Sequence, residues 1–139
     1  MISVVFGVGM FCGCTSIQVQ PVDSSLKINH VCIEENPKVT MMGGFVDMLR
    51  EGFSRHGIST EVYSGKTPET CEYVLTYTAL HSWDVSIYLS DAELILKKDG
   101  KQIASAKYHL TGKGGFSLMK WKSVKSKMDP VIDELLKNY

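Results

Sequence analysis

The side chains most often used in catalysis are present in this chain, but not in the spacings that catalysis requires. The histidines are His30, His56, His81 and His109. They form neither an HExxH motif nor a metal-binding pair at helical spacing. Glu34 and Glu35 are adjacent, so on a strand they would point to opposite faces, and no serine lies in a GxSxG motif. We therefore expect no catalytic residue, no metal site and no cofactor, and a protein that is not an enzyme.

The cysteines offer a different chemistry. Residues 1–13, MISVVFGVGMFCG, carry no charge, and all but Ser3 are apolar or Gly. This run is too short to cross a bilayer as a helix, but it fits the apolar region of a secretion signal. Cys12 and Cys14 stand at its end, and the polar pair Thr15-Ser16 follows. The composition therefore indicates a cleavage site, the alternative being a buried N-terminal strand or helix with two core cysteines.

The stretch Phe11-Cys12-Gly13-Cys14 resembles the lipobox of bacterial lipoproteins, an apolar residue and two small residues before the lipid-bearing Cys. The resemblance implies a signal peptide over 1–13, acylation of Cys14 and a lipid-anchored tether over 14–27. A Cys that carries several acyl chains would hold the domain firmly, since each buried CH₂ contributes about 0.8 kcal/mol. In the Gram-negative pattern, Asp directly after that Cys retains the protein in the inner membrane. Thr15 stands there instead, which implies the periplasmic face of the outer membrane.

Cys32 and Cys71 lie in the body of the chain and are not in CxxC spacing. Neither a thioredoxin-type motif nor a zinc knuckle is therefore indicated. In an oxidising periplasm, two isolated cysteines of a small domain favour a disulfide, and two separate buried thiols are the alternative. We expect a Cys32–Cys71 bridge.

Length and charge limit the remaining functions. The chain has 139 residues, which predicts a single domain over 28–139. Lys plus Arg and Asp plus Glu are 15 each, so no net charge attracts nucleic acid, and none is expected as a partner.

Hydrophobic periodicity predicts five strands and two helices. Strands are expected over 28–34, 58–63, 71–83, 84–98 and 102–110. A change of phase near Ser90-Asp91 predicts a β-bulge, and Asp99-Gly100 predicts a type I′ hairpin turn. One helix is expected over 41–56, with Thr40 as N-cap and Gly57 after its end. The other covers 123–138, where Pro130 either kinks it or begins a shorter helix capped by Asp129.

The predicted order is β-α-β-β-β-β-α. It indicates an α+β two-layer sandwich, with a mostly antiparallel sheet and two helices. Close approach of the first helix to the sheet would explain its glycines. In architecture this resembles uncharacterised envelope lipoproteins and, broadly, the anticodon-binding-like domains of periplasmic assembly factors.

Two segments are predicted to form the binding surface, because exposed aromatic side chains beside polar groups are typical of interfaces. The first, 80–91, contains His81, Trp83, Asp84 and Tyr88. The second, 111–127, is rich in Gly and Lys and contains Lys113, Phe116, Lys120, Trp121 and Lys122. Alternatively, Trp83 is core and the second segment is a flexible connection. We expect a lipid-anchored binding or scaffold module that docks an envelope protein or glycan; the alternative is an enzyme acting on a cell-envelope polymer.

Overall fold

The computed structural model describes residues 15–39, 44–84, 86–110 and 123–139, and of residues 15, 83, 84, 86 and 87 only the backbone. Thr40, Met41 and Met42, which were assigned to the start of the first helix, lie outside these ranges. So do the predicted signal peptide, Cys14 and the segment 111–122.

Six strands and two helices form the domain. The strands are β1 (Thr15–Gln20), β2 (His30–Glu34), β3 (Ser59–Tyr63), β4 (Tyr73–Asp84), β5 (Ser86–Lys98) and β6 (Lys101–Leu110). The helices are α1 (Phe45–Arg55) and α2 (Val124–Leu135). This confirms the α+β class, with a six-stranded sheet and two helices.

The strand order in the sheet is β1-β6-β5-β4-β2-β3. Strands β4, β5, β6 and β1 pair antiparallel, whereas β2 is parallel to both β3 and β4. The sheet is therefore mixed, though mostly antiparallel. The parallel part follows from α1, which carries the chain from the end of β2 back to the start of β3.

The predicted element order is wrong at its beginning, because β1 precedes the first strand that the sequence indicated. Its sequence TSIQVQ alternates polar and apolar residues, with Ile17 opposite Tyr108 and Val19 opposite Ala106 on β6. The alternation was hidden by its shortness and by Pro21 directly after it. Residues 15–20, expected to be tether, are thus part of the sheet.

One face of the sheet packs against both helices and forms the core. Tyr73, Leu75, Tyr77 and Ala79 of β4 point to this face, as their phase predicted, and all are buried. The ring of Tyr77 lies 5.4 Å from that of Phe45 on α1. The fully buried large side chains include Phe53, Leu49, Leu94, Leu96, Met128, Ile132 and Leu135.

Helix α1 begins at Phe45, after Gly44 with φ of 87°, and not at residue 41 as predicted. Its end agrees with the sequence, since Gly57 follows with φ of 74°. The expectation that the glycines of this helix allow close approach to the sheet needs correction. A Cβ on Gly52 would lie 2.8 Å from Cδ1 of Ile132 on α2, so this glycine permits close contact with the second helix rather than with the sheet.

Helix α2 is continuous through Pro130, so the shorter helix capped by Asp129 is wrong. Ser123 is the N-cap, and its side chain accepts a hydrogen bond from the backbone N–H of Ser126 at 3.1 Å. The side chains of Met128, Val131 and Leu135 form an apolar stripe along the helix and are buried.

Both predicted hairpin features are confirmed. In the β4–β5 ladder, Leu80 pairs with Asp91 and His81 with Leu89, so Ser90 is the extra residue of a bulge. The β5–β6 turn has positive φ at Asp99 (50°) and Gly100 (77°), as a type I′ turn requires.

Candidate functional site

Several chain segments meet at one end of the sheet, which we call the Thr15 end. Strand β1 starts there and β6 finishes there, because Thr15 pairs antiparallel with Leu110. The β4–β5 hairpin points the same way, since β4 and β6 both run antiparallel to β5. Asp91 pairs with His109 near the end of β6, and residues 86–90 continue beyond that pair. The hairpin tip therefore extends beyond the end of β6.

The hairpin contains the first predicted binding segment. Ser90 Oγ donates a hydrogen bond to the carbonyl oxygen of Leu80 at 3.0 Å and so braces the bulge. Leu80 itself is 63% exposed, a large apolar side chain at the surface. Trp83 and Asp84 belong to β4 and pair with Ile87 and Ser86, but their side chains lie outside the described part. Whether Trp83 is core or surface therefore stays a prediction.

His81 is half-buried on the hairpin, opposite Leu89. Its Nε2 is buried and has no hydrogen-bond partner among the described residues. Burial lowers the pKa of His81 from its ordinary value, because the charged imidazolium loses water. His81 is thus a partly desolvated side chain near the hairpin tip, and its role in binding stays a prediction.

Lys127 is a feature of this end that the sequence reasoning missed. It is 2% exposed, and its Nζ donates to the carbonyl oxygen of Leu89 at 3.2 Å. The same nitrogen lies 5.6 Å from the ring centroid of Tyr88, a predicted site residue that is half-buried. Burial lowers the pKa of Lys127 to about 8. The available signal was position, since 127 lies three residues after Val124 and four before Val131, within the apolar stripe of α2.

The remaining predicted surface residues are Lys113, Phe116, Lys120, Trp121 and Lys122. They lie outside the described residues, as does Cys14, so their roles stay predictions. The described residues that adjoin them in the sequence are Thr15 and Leu110, which are paired at the Thr15 end.

Mostly polar side chains line an open groove on the face of the sheet opposite the helices. Gln18 lies opposite Lys107, which lies opposite Glu93. Lys107 Nζ is 3.2 Å from Glu93 Oε2. The groove encloses about 390 Å³, and its lining residues are Gln18, Val19, Gln20, Glu93, Ile95, Gln102, Ser105 and Lys107. We call it the Gln groove; its amide, hydroxyl and charged groups suit a hydroxyl-rich ligand.

The predicted disulfide is confirmed. Cys32 of β2 and Cys71, just before β4, are bonded with a Cα–Cα distance of 5.9 Å. The bridge joins β2 to the chain that enters β4, its neighbour in the sheet. It closes a loop across 39 residues of sequence separation and so stabilises the parallel part of the domain.

The four histidines lie in separate surroundings. His109 Nδ1 contacts Asp91 on the Gln-groove side of the sheet, and His56 Nε2 is 2.9 Å from Asp133 in an ion cluster with Arg55. His30 Nε2 is 3.1 Å from Glu61, close to the disulfide. The sequence did not foresee this last group, because His30 and Glu61 are 31 residues apart and meet only through the β2–β3 pairing.

Neither described helix combines the length and the apolar character that crossing a membrane requires. No protein-family model matches the chain, and no curated protein sequence matches it.

The fold is similar to PelC. A structure of a PelC point variant from Paraburkholderia phytofirmans, a dodecamer in space group C2, superposes with a TM-score of 0.59. Its sequence is 13% identical, and the match covers 89% of this chain and 95% of the PelC chain. A second PelC dodecamer, in space group P6, gives 0.59 at 12% identity, covering 89% and 96%. At this identity the similarity concerns the fold alone.

Proposed function

We propose that this chain is a lipid-anchored binding or scaffold module on the periplasmic face of the bacterial outer membrane, acting without catalysis. The observation that supports this is the pairing of Thr15 with Leu110. This pair joins the two described residues that lie next to the proposed anchor at Cys14 and to the Lys- and Trp-containing segment 111–122 in the sequence. The β4–β5 hairpin points in the same direction.

This arrangement gives the proposed anchor a short reach. Strand β1 starts at the residue directly after Cys14, so an acylated Cys14 would hold the Thr15 end close to the headgroups. Lysines near a membrane surface are attracted to anionic groups, and Trp favours the interfacial region. Lys113, Lys120, Lys122, Phe116 and Trp121 are therefore proposed to contact the phosphate-rich membrane surface or an acidic partner there.

The partner side of the module is proposed to be the Gln groove. It lies on the open face of the sheet, where Gln18, Gln20 and Gln102 offer amide donors and acceptors. A glycan or an envelope protein segment bound there would remain accessible while the Thr15 end contacts the membrane. The groove is formed by three adjacent strands, so it is rigid before binding, which lowers the entropic cost of association.

The alternative, an enzyme acting on a cell-envelope polymer, has no observation in its favour. Among the described residues, the carboxylates with a lowered pKa are Asp23 and Asp133. The first caps a turn through Ser25, and the second pairs with Arg55 and His56. Neither belongs to the Gln groove.

Self-association is part of the scaffold proposal. The PelC structures of similar fold are dodecamers, and this sheet has two edges that are unpaired within the described residues, β1 and β3. Each edge strand carries an exposed apolar side chain, Ile17 at 43% and Val62 at 39%. Contact between the β1 edge of one copy and the β3 edge of the next would be head-to-tail, which generates a ring where the rotation between copies closes and an open filament where it does not.

The anchor is tested by labelling cells with radioactive palmitate. We expect incorporation into the wild-type chain and its loss in Cys14→Ala. Cys12→Ala is the matched control, because it removes a thiol two residues away and should keep the label. Equal labelling of wild type and Cys14→Ala would refute the anchor, whatever the fold does.

The basic segment is tested by vesicle co-sedimentation at low and high salt. We expect Lys113→Gln, Lys120→Gln and Lys122→Gln together to weaken binding of the unacylated Cys14→Ala chain to anionic vesicles. Binding of the Cys14→Ala chain that keeps the three lysines should also weaken as the salt concentration rises, since exposed charges are screened within about 10 Å at 0.1 M. The control removes three exposed lysines elsewhere, Lys27, Lys66 and Lys101. If both triple variants bind alike, the segment is only a connection.

A further inference from the structure

Four side chains able to ligate a metal meet beside the parallel strands. They are His30 and Cys32 of β2, Glu61 of β3, and Cys71. Glu61 Oε1 lies 3.1 Å from His30 Nε2, 3.1 Å from Cys32 Sγ and 3.6 Å from Cys71 Sγ. The ligand atoms of His30, Cys32 and Glu61 all lie within 4.8 Å of one another. One sulfur, one imidazole nitrogen and one carboxylate oxygen thus lie together, and the sulfur of Cys71 adjoins them through its bond to Cys32.

The orientation of His30 is set by its neighbour Ser59. The Ser59 hydroxyl donates its hydrogen to the carbonyl oxygen of Asn29 at 3.1 Å. It therefore accepts from Nδ1–H of His30 at 2.7 Å. A neutral His30 consequently presents the lone pair of Nε2 toward the Glu61 carboxylate. Metal-bound histidines are held in this way, with the second ring nitrogen donating to a fixed acceptor.

A lone pair facing a carboxylate oxygen at 3.1 Å is repulsive unless a cation stands between them. When the bridge is reduced, the two cysteine thiols become available as ligands beside these groups. A divalent cation that replaces the thiol protons can then be shared by the sulfurs, the imidazole nitrogen and the carboxylate.

The distances match those of a zinc site. Ligands about 2.0–2.3 Å from a tetrahedral Zn²⁺ lie about 3.3–3.8 Å from one another. The three contacts of Glu61 Oε1 are already close to these values, and the two sulfurs separate when the bridge is reduced. Cys32 is fully buried, whereas the side chains of His30 and Glu61 are 44% and 51% exposed, so the site has a path to solvent.

We propose that the reduced protein binds one Zn²⁺ through Cys32, Cys71, His30 and Glu61, so that this position holds either a disulfide or a metal ion. A dithiol reductant supplies the two electrons and two protons that open the bridge, and itself becomes a disulfide. Zn²⁺ then displaces both thiol protons and binds two thiolates. In the reverse direction, exchange with a second disulfide re-forms the bridge: that disulfide accepts the two electrons and is cleaved to two thiolates, and the ion is released because its thiolate ligands are consumed.

The test uses the full-length chain in detergent, reduced with a phosphine that does not compete for metal, and titrated with Co²⁺. We expect one equivalent to bind, with the thiolate charge-transfer and strong visible bands of a tetrahedral site, and Zn²⁺ to abolish them. The disulfide form should show neither band. His30→Ala should weaken Zn²⁺ binding at least about tenfold. His109→Ala, another exposed histidine with an acidic partner, is the matched control and should not.

Circular dichroism of the reduced chain accompanies the titration. If reduction unfolds the protein, metal addition should restore the native spectrum together with the visible bands, since binding is coupled to folding. Absence of tetrahedral bands in the reduced wild type, folded or not, overturns the proposal. So does a Zn²⁺ affinity that is the same in wild type, His30→Ala and Glu61→Gln, or bands that persist in the double variant Cys32→Ser, Cys71→Ser.

Discussion

Two buried polar side chains show how little a residue's chemical type says about its surroundings. Tyr108 is 2% exposed, and its hydroxyl has no hydrogen-bond partner among the described residues. Burial first, and the charge of Asp91 second, raise the pKa of Tyr108 to about 12. Lys127 is equally buried, but its pKa is lowered to about 8, because desolvation disfavours whichever form is charged. In both residues, loss of hydration disfavours the charged form of the side chain in the native state.

Because the Lys127 ammonium group is desolvated in the native state, the free energy of unfolding should depend on pH. An unfolded Lys titrates near 10.4, so between pH 8 and that value the unfolded chain binds more protons than the native one. Stability should therefore rise with pH in this window. We expect the free energy of unfolding of wild type, relative to Lys127→Met, to increase by about 1–2 kcal/mol from pH 7 to 9.5.

Urea unfolding at several pH values measures the effect. Lys101→Met serves as the control, since Lys101 is exposed in the β5–β6 turn; its difference from wild type should stay flat. If the difference in the free energy of unfolding between wild type and Lys127→Met also does not change with pH, the native state tolerates the ammonium group, contrary to the expectation.

At the scale of secondary-structure elements, the sequence correctly predicted the features that depend only on residues close together in the chain. The Asp99-Gly100 turn, the Ser90 bulge and the Gly57 helix end were read from the sequence, because each depends on a few neighbouring residues. The parallel placement of β2 beside β4 was not, since it depends on pairing between distant segments. Strand β1 was missed for the same reason: six residues become a strand only because β6 offers an edge.

The features of the candidate site also fall into those that the sequence predicted and those that it did not. The cysteine pair was predicted correctly because the residue type and the expected compartment sufficed. The Gln groove and the His30–Glu61 contact were missed because they combine side chains from different strands. Lys127 was not singled out, although its helical position placed it among apolar residues and it is buried.

The α1–α2 contact predicts that Gly52→Ala destabilises the protein. Alanine gains about 1 kcal/mol of helix propensity over glycine, but its Cβ would lie 2.8 Å and 2.9 Å from Cδ1 and Cγ2 of Ile132. Overpacking of this kind costs about 1–3 kcal/mol. We expect a net loss of about 1 kcal/mol in the free energy of unfolding.

A double-mutant cycle with Ile132→Val isolates the contact. Valine lacks the Cδ1 atom, so Gly52→Ala should cost less in the Ile132→Val background than in wild type, by about 0.5 kcal/mol or more. If Gly52→Ala stabilises the wild-type chain, the helices separate without cost and the close approach is not required.

At the scale of the whole molecule, the two sheet edges that are unpaired within the described part of the chain predict assembly, which rests on the proposed function. Unprotected edges are templates for pairing with another chain. We expect the purified protein to have a mass several times that of the monomer by light scattering after size exclusion. Ile17→Glu on β1 or Val62→Glu on β3 should each shift it toward monomer, since each places a charge at one side of the proposed contact.

Leu80→Glu is the matched control for these variants. Leu80 is the most exposed of the three apolar side chains, at 63%, but it lies on the interior strand β4. It should leave the mass unchanged. A monomeric wild type would reject self-association and leave a module that acts as a single copy.

Strand β1 also has a mechanical consequence. If Cys14 is anchored in the membrane, any pull on the domain enters through Thr15 and runs along the β1 axis. The six pairs between Thr15–Leu110 and Gln20–Ser105 lie across that axis, because antiparallel hydrogen bonds are perpendicular to the strands. They would be loaded in shear and would have to break together rather than one after another. The six-residue edge strand β1 would then transmit the force between the membrane and the rest of the sheet.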